Sequence, residues 1–205
     1  MNTSNKTEIP LSYYQTIYQS LDPLEIARKC NLEFNGGAFN LRVMGTEYRV
    51  SHPEFALLDN DGSEVHEAYE KILFIRYLCE GKYFPSQGKQ LSYNEFPWGA
   101  LYYSNFKGRC LKRFANTFGR DIPAFVKMIE QNPQLRAAPL KIGDAAYRLE
   151  FCSGLYVSLI LWQADDEFSP SAQILFDDNF VFAFTAEDLA VVGEVLVNRL
   201  KKLLG

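Results

Sequence analysis

Apolar positions recur along this chain with two periods, and the switches between them divide it into helices and hairpins. Leu11, Tyr14, Ile17, Tyr18 and Leu21 fall at helical spacing, so a helix is predicted over Leu11 to Ser20, after a polar start, Met1 to Pro10, expected to be disordered. Asp22 and Pro23 then supply an N-cap and a first-turn proline for a second helix reaching about Cys30. The pair is a helix–turn–helix in shape only. Asn35, Gly36 and Gly37 turn the chain into Phe39 to Met44, and Gly45 and Thr46 connect that segment to Glu47 to Ser51. Both alternate with period two and read as a hairpin. After a turn at Asn60 to Gly62, an apolar stripe of Ala68, Ile72, Ile75, Leu78 and Cys79 predicts a helix over Glu64 to Glu80 that Gly81 ends.

From Tyr83 to Phe106 the pattern breaks: Pro85, Gly88, Pro97 and Gly99 lie among many aromatics, which predicts an ordered connector. Helices follow at Gly108 to Phe118 and, with Asp121 as cap and Pro123 in the first turn, at Ile122 to Gln131, where Asn132 and Pro133 stop the second. Ala145 to Cys152 and Leu155 to Trp162 form a second hairpin about Ser153 and Gly154, and a further apolar strand candidate runs from Ile174 to Asp178. The last helix starts at Thr185, capped by its hydroxyl with Asp188 at the third helical position, and buries Leu189, Val192, Leu196, Leu200 and Leu203. Helices and antiparallel hairpins mix without a strand–helix repeat. The expected class is α+β, a small central sheet packed with several helices in one domain over residues 1–205.

Composition changes this picture little. At 205 residues and 47% apolar, the chain can bury one sizeable core. No stretch approaches the roughly 18 uninterrupted apolar residues of a membrane span, and the start lacks the apolar run of a signal peptide, so a cytoplasmic protein is expected. A formal net charge of -4 argues against broad affinity for nucleic acid or anionic membrane. Cys30, Cys79, Cys110 and Cys152 show no metal-ligand spacing and read as buried thiols in a reducing compartment. No cofactor is evident.

The C-terminal fifty residues carry a resemblance. Leu161 and Trp162, then Asp165 to Phe168, Ser171 and Ala172, Ile174 to Asp177 and Thr185 to Ala190 together resemble the family called domain of unknown function 3786. The likeness extends to Leu21 to Ala27, the Gly45 hairpin, Ile72 and Leu73 with Tyr77 and Leu78, and Tyr102 to Phe106. It implies a small anaerobe or archaeal protein with no assigned activity. Some members look joined to cysteine-rich iron–sulfur domains or sit near corrinoid methyl-transfer systems, which implies an accessory role in one-carbon metabolism. This chain has no cysteine-rich segment.

Two constellations carry candidate chemistry. Asp165, Asp166, Glu167, Asp177 and Asp178 put five carboxylates beside two strands, where Asp165, Glu167 and Asp177 can be read as ligands of a divalent metal or as acid–base groups. The competing reading gives Asp165 and Asp177 to turn amides and leaves the rest in water. Lys107, Arg109, Lys112, Arg113 and Arg120 form a basic run behind Trp98, Tyr102, Tyr103 and Phe106, a pattern suited to a phosphate-bearing ligand or stacked single-stranded nucleic acid, or else to a solvated helix face over core aromatics. The two runs can also pair with one another, within the molecule or across a homodimer. His52, at a strand end, and His66, in the first turn of a helix, have no nucleophile beside them. Phe34 to Ala38 lacks the lysine of a phosphate loop and is a turn. With no nucleophile–base pair and no dinucleotide fingerprint, the leading expectation is a noncatalytic binding or accessory module. Its partner is an unidentified protein or small molecule, and its surface runs from Trp98 to Phe106. A metal-assisted enzyme at 165–178 and an anion or nucleic-acid site at 107–120 are the alternatives.

Overall fold

The computed structural model describes residues 5–204, with side chains from Leu11 onward. Of the start expected to be disordered, residues 1–4 lie outside the described residues, and from Asn5 the backbone is helical: α1 spans Asn5–Ser20. The Asp22 carboxylate accepts the Leu24 N–H at 2.9 Å to open α2, Pro23–Cys30.

Nine strands form one antiparallel sheet among the described residues: β1 (Phe34–Asn35), β2 (Ala38–Val43), β3 (Thr46–Ser51), β4 (Leu57–Leu58), β5 (Gln90–Ser92), β6 (Ala138–Pro139), β7 (Ala145–Cys152), β8 (Leu155–Trp162) and β9 (Ser171–Asp177). The order is β4-β3-β2-β7-β8-β9-β5, with β1 on β2 and β6 on β7. The predicted hairpins form where alternation placed them. The first turns through Met44 and Gly45, both at positive φ, one residue earlier than the Gly45 and Thr46 connector expected. The two hairpins meet at their tips: Val43 pairs with Cys152, flanked by Met44 N–H to Phe151 O and Ser153 N–H to Arg42 O.

Helices cover one face of the sheet. α3 (Ala68–Glu80) begins four residues after its predicted start, because Glu64 bridges to Leu58 and Val65 N–H bonds Leu57 O. His66 therefore lies in an extended entry and not in the first helical turn. The segment expected to be an irregular connector holds β5, a 3₁₀ turn at Tyr93–Glu95 and α4 (Gly99–Phe106). Glu95 accepts the Ser92 N–H at 2.7 Å to cap that turn, and Pro97 and Gly99, read as breakers, stand before the helix and at its first position, where neither costs an internal bond.

From α4 the chain continues without a break through a π-turn, Lys107–Leu111, into α5 (Lys112–Phe118), so the predicted Gly108 to Phe118 helix is the second half of a longer one. Buried Phe106, Cys110, Phe114 and Phe118 recur every fourth residue, overshooting a helical turn by roughly 40° at each step. The wide turn takes up part of that drift and keeps the stripe on the core. α6 (Ile122–Glu130) follows with Asp121 as its cap, and its Phe125 joins Phe114 and Phe118 in an aromatic cluster.

The short α7 (Phe180–Ala183), which no period announces, leads into α8 (Ala186–Lys202). There the Thr185 hydroxyl accepts the Asp188 N–H and the Asp188 carboxylate accepts the Thr185 N–H, the predicted capping box. α3 and α8 lie antiparallel, since Arg76 near the end of α3 meets Asp188 at the start of α8, while Glu70 near the start of α3 meets Arg199 near the end of α8. A single apolar cluster runs from Tyr18 and Ile26 through the sheet to Leu200, with Phe74, Phe151, Phe176 and Phe180 at its centre.

Candidate functional site

A groove of about 250 Å³ opens where the end of α3, the Phe96–Trp98 turn and the junction of α7 and α8 meet. Its walls are apolar. Trp98, 77% exposed and held at φ 65°, and Phe182, 52% exposed, both line the groove. A left-handed backbone is a strained state for a residue this bulky, costing about 1–3 kcal/mol, and it persists here because the chain must leave the 3₁₀ turn and enter α4 within a few residues. Phe84 packs on Phe182 with ring centroids 4.7 Å apart, and both are exposed. The apolar surface thereby continues past Val181 toward Ser86 and Asp178.

The floor of the groove is charged. Arg76 sets its Nε 3.3 Å from Asp188 Oδ1 and its guanidinium 5.5 Å from the centre of the Tyr14 ring, with Glu80 4.0 Å away. That buried Nε makes no hydrogen bond of good geometry. Asp188 is committed elsewhere, its other oxygen accepting from the Thr185 amide and hydroxyl. Burial and the Glu80 carboxylate raise the Tyr14 phenol above its ordinary value, so it stays a neutral donor to Glu80 at 3.0 Å.

The acidic residues proposed from sequence are not brought together. Asp165 Oδ1 accepts the Glu167 and Phe168 amides at 2.9 and 2.6 Å, closing a turn before β9. Asp177 ends the same strand, and seven residues at about 3.3 Å each put some 20 Å between the two ends. Asp177 is 3% exposed and paired with Arg148 at 2.6 Å, and Arg148 in turn lies 4.1 Å from the Tyr156 ring centre. Asp178 accepts from the Ser86 hydroxyl at 2.6 Å, which holds its carboxyl below the usual range. Asp166 and Glu167 face solvent. Among the described residues no group of three or more His, Cys, Asp or Glu side chains converges as metal ligands. The turn-amide reading of Asp165 therefore describes the geometry, while Asp177 owes its burial to an arginine that pattern reading had not singled out.

Of the aromatic and basic residues, Trp98 lines the groove, Tyr102 is exposed one turn into α4, and Tyr103 packs against the core. Lys107, Arg109 and Lys112 are exposed, and Arg113 is half-buried. Arg109 is tied to Glu194 of α8 at 2.5 Å. Among the described residues no ion pair joins the basic run to the acidic one. The four cysteines are apart from the groove and are free thiols; burial pushes Cys30 and Cys110 up to about 12 and Cys79 to about 11. His52 sets Nε2 3.2 Å from the Tyr18 carbonyl, a structural contact.

Sequence reasoning found one wall of the groove through Trp98 and one end through the Thr185 cap. It missed Arg76, which lies among ordinary polar positions of α3, and Phe182, whose four-residue helix is too short to show a period. No described helix is long and apolar enough to cross a membrane. No match was found among curated proteins or among solved structures. A family model described as a domain of unknown function matches residues 22–199, from the cap of α2 to the last turns of α8, and the chain belongs to that family, DUF3786.

Proposed function

We propose that this protein is a noncatalytic binding module whose groove receives an aliphatic or aromatic anchor side chain from a partner protein. The observation that supports this most directly is the pair of large exposed aromatics, Trp98 and Phe182, lining one largely apolar groove. Tryptophan and other aromatics are enriched in the energetically dominant centres of protein interfaces, where each meets a pocket on the partner. At about 250 Å³ the groove falls below the ~300–1,000 Å³ of sites for drug-sized ligands, which suits one inserted side chain. Arg76 and Asp188 line the floor with charge, and Phe84 and Val181 extend the contact area. An accessory role of this kind also fits the one-carbon and corrinoid setting that the family resemblance implies.

The test uses a photo-crosslinking amino acid at position 98 or 182, with Tyr13, exposed on α1, as the control position. Both groove positions are expected to crosslink the same protein, and Tyr13 is not. Once purified, that partner should bind the wild type and lose about tenfold or more in affinity, some 1.4 kcal/mol, on Trp98→Ala with Phe182→Ala. Crosslinks that join two copies of this chain, or a partner indifferent to both substitutions, overturn the proposal.

A further inference from the structure

The far end of the α3–α8 pair holds a second cavity, of about 220 Å³, walled by the β2–β3 hairpin, the entry to α3, the Pro133–Leu135 turn and the last turns of α8. Unlike the groove, its walls are charged. At the back, Glu70 is 2% exposed and grips Arg199 through two contacts, Nε to Oε1 at 3.3 Å and Nη2 to Oε2 at 2.5 Å. The same guanidinium lies 5.1 Å from the centre of the Tyr48 ring. Nearer the mouth, Lys202 Nζ donates to Glu67 Oε1 at 2.7 Å, a bond that lowers the Glu67 carboxyl and raises the Lys202 ammonium so that both are charged at neutral pH. Buried Met44 and Leu135, with Val65, supply an apolar side.

Burying an ion pair costs more in lost hydration than its attraction reliably returns, so such a pair is weak evidence of a stabilising role. Here it faces open space. Two carboxylates and two cations share one small cavity, and that balance selects by charge. An anion entering it meets Glu67 and Glu70, and a cation meets Arg199 and Lys202. A dipolar molecule with an ammonium and a carboxylate on the same carbon satisfies both signs at once. Each carboxylate oxygen keeps lone pairs beyond the contact it makes to Arg199 or Lys202, and an ammonium has three donors, so both kinds of wall can bond further. At about 220 Å³ the space suits a molecule smaller than a drug-sized ligand. We propose that this cavity binds a free α-amino acid with an aliphatic side chain, its ammonium toward Glu67 and Glu70, its carboxylate toward Arg199 and Lys202, and its side chain against Met44, Val65 and Leu135.

The test is calorimetric titration and thermal melting of the full chain with L-leucine, L-valine and L-methionine, against N-acetyl-leucine, leucine amide and an equal concentration of sodium chloride. The free amino acids are expected to bind with Kd below about 1 mM and to raise the melting temperature in proportion to concentration. Removing either ligand charge should weaken binding about tenfold or more, the loss of one charge-assisted contact. Glu67→Gln and Lys202→Met, at the solvent-facing pair, should weaken binding similarly, whereas Trp98→Ala should leave it unchanged, which separates this site from the groove. The proposal is overturned if no free amino acid gives heat or a melting shift by about 10 mM, if the acetyl and amide forms match the parent, or if salt alone reproduces the shift. Should a variant fail to fold, the comparison of ligands on the wild type still decides.

Discussion

Single residues fix how neighbouring elements meet through close approach. Gly45 is the sharpest case, at φ 83° with a position where a Cβ would stand 2.3 Å from the Gln134 carbonyl oxygen. The hairpin tip must lie against the 133–135 turn for the second cavity to have walls, and Arg42 reinforces that contact by donating to the same carbonyl at 2.9 Å. Gly45→Ala combines backbone strain with a backbone clash and is expected to lower unfolding stability by about 2 kcal/mol or more, read as a fall in the urea midpoint at unchanged slope. Gly193 does a related job in α8, where a Cβ would meet Cys110 Sγ at 2.7 Å, and it lets α8 approach the wide turn after α4. The sequence marked Gly45 as a turn because glycine and alternation appear together there. It gave no sign of Gly193, since a glycine inside an apolar helical stripe acquires its meaning only from the helix that crosses it.

At the scale of elements, the charges on α3 and α8 specify how the two helices lie. Running antiparallel, they set Arg76 by Asp188 and Glu70 by Arg199; running parallel, they would oppose Glu70 to Asp188 and Arg76 to Arg199. Removing Glu70 leaves a guanidinium buried without its carboxylate, so Glu70→Ala is expected to cost about 3–5 kcal/mol in denaturant unfolding, and Glu70→Ala with Arg199→Met to recover much of it. A double variant no more stable than the single one would contradict that account. The elements themselves were largely legible: the caps at Asp22, Asp121 and Thr185 and the hairpins about Gly45 and Gly154 all act locally, within a few residues of their signals. What escaped depends on distant partners. β5 is a strand only because Leu91 pairs with Phe176, and α4 begins two residues after Pro97 where punctuation suggested a loop. The strand between Asp165 and Asp177 is legible from Ile174 onward, but its start at Ser171, which sets a full strand length between them, is not.

Across the whole molecule, the buried thiols tie stability to alkaline pH. A cysteine ordinarily ionises near 9.0, and burial holds Cys79 protonated to about 11 and Cys30 and Cys110 to about 12. Above the ordinary value the unfolded chain releases protons that the folded chain keeps, so stability is full below it and is lost as pH rises toward the folded values. The urea midpoint is expected to fall steadily between about pH 8.5 and 10.5, and a flat profile would show that these thiols contribute nothing.

The sheet has one further consequence, for the protein in a crowded solution. Its long strands, β7, β8 and β9, are interior to the pairing order, and what stands at the margins is brief: two residues each in β1, β4 and β6 and three in β5. β6 ends in Pro139, which has no amide hydrogen to offer a newcomer. A chain with 15% aromatic residues and strongly apolar central strands would be prone to stack sheet on sheet if those strands lay bare. Short margin strands limit how far pairing can extend along their own edges, while β9 beyond its pairing with β5 at Leu175, Phe176 and Asp177 has no strand partner on that side among the described residues, so Ser171 to Ile174 is the stretch of the sheet most open to a newcomer.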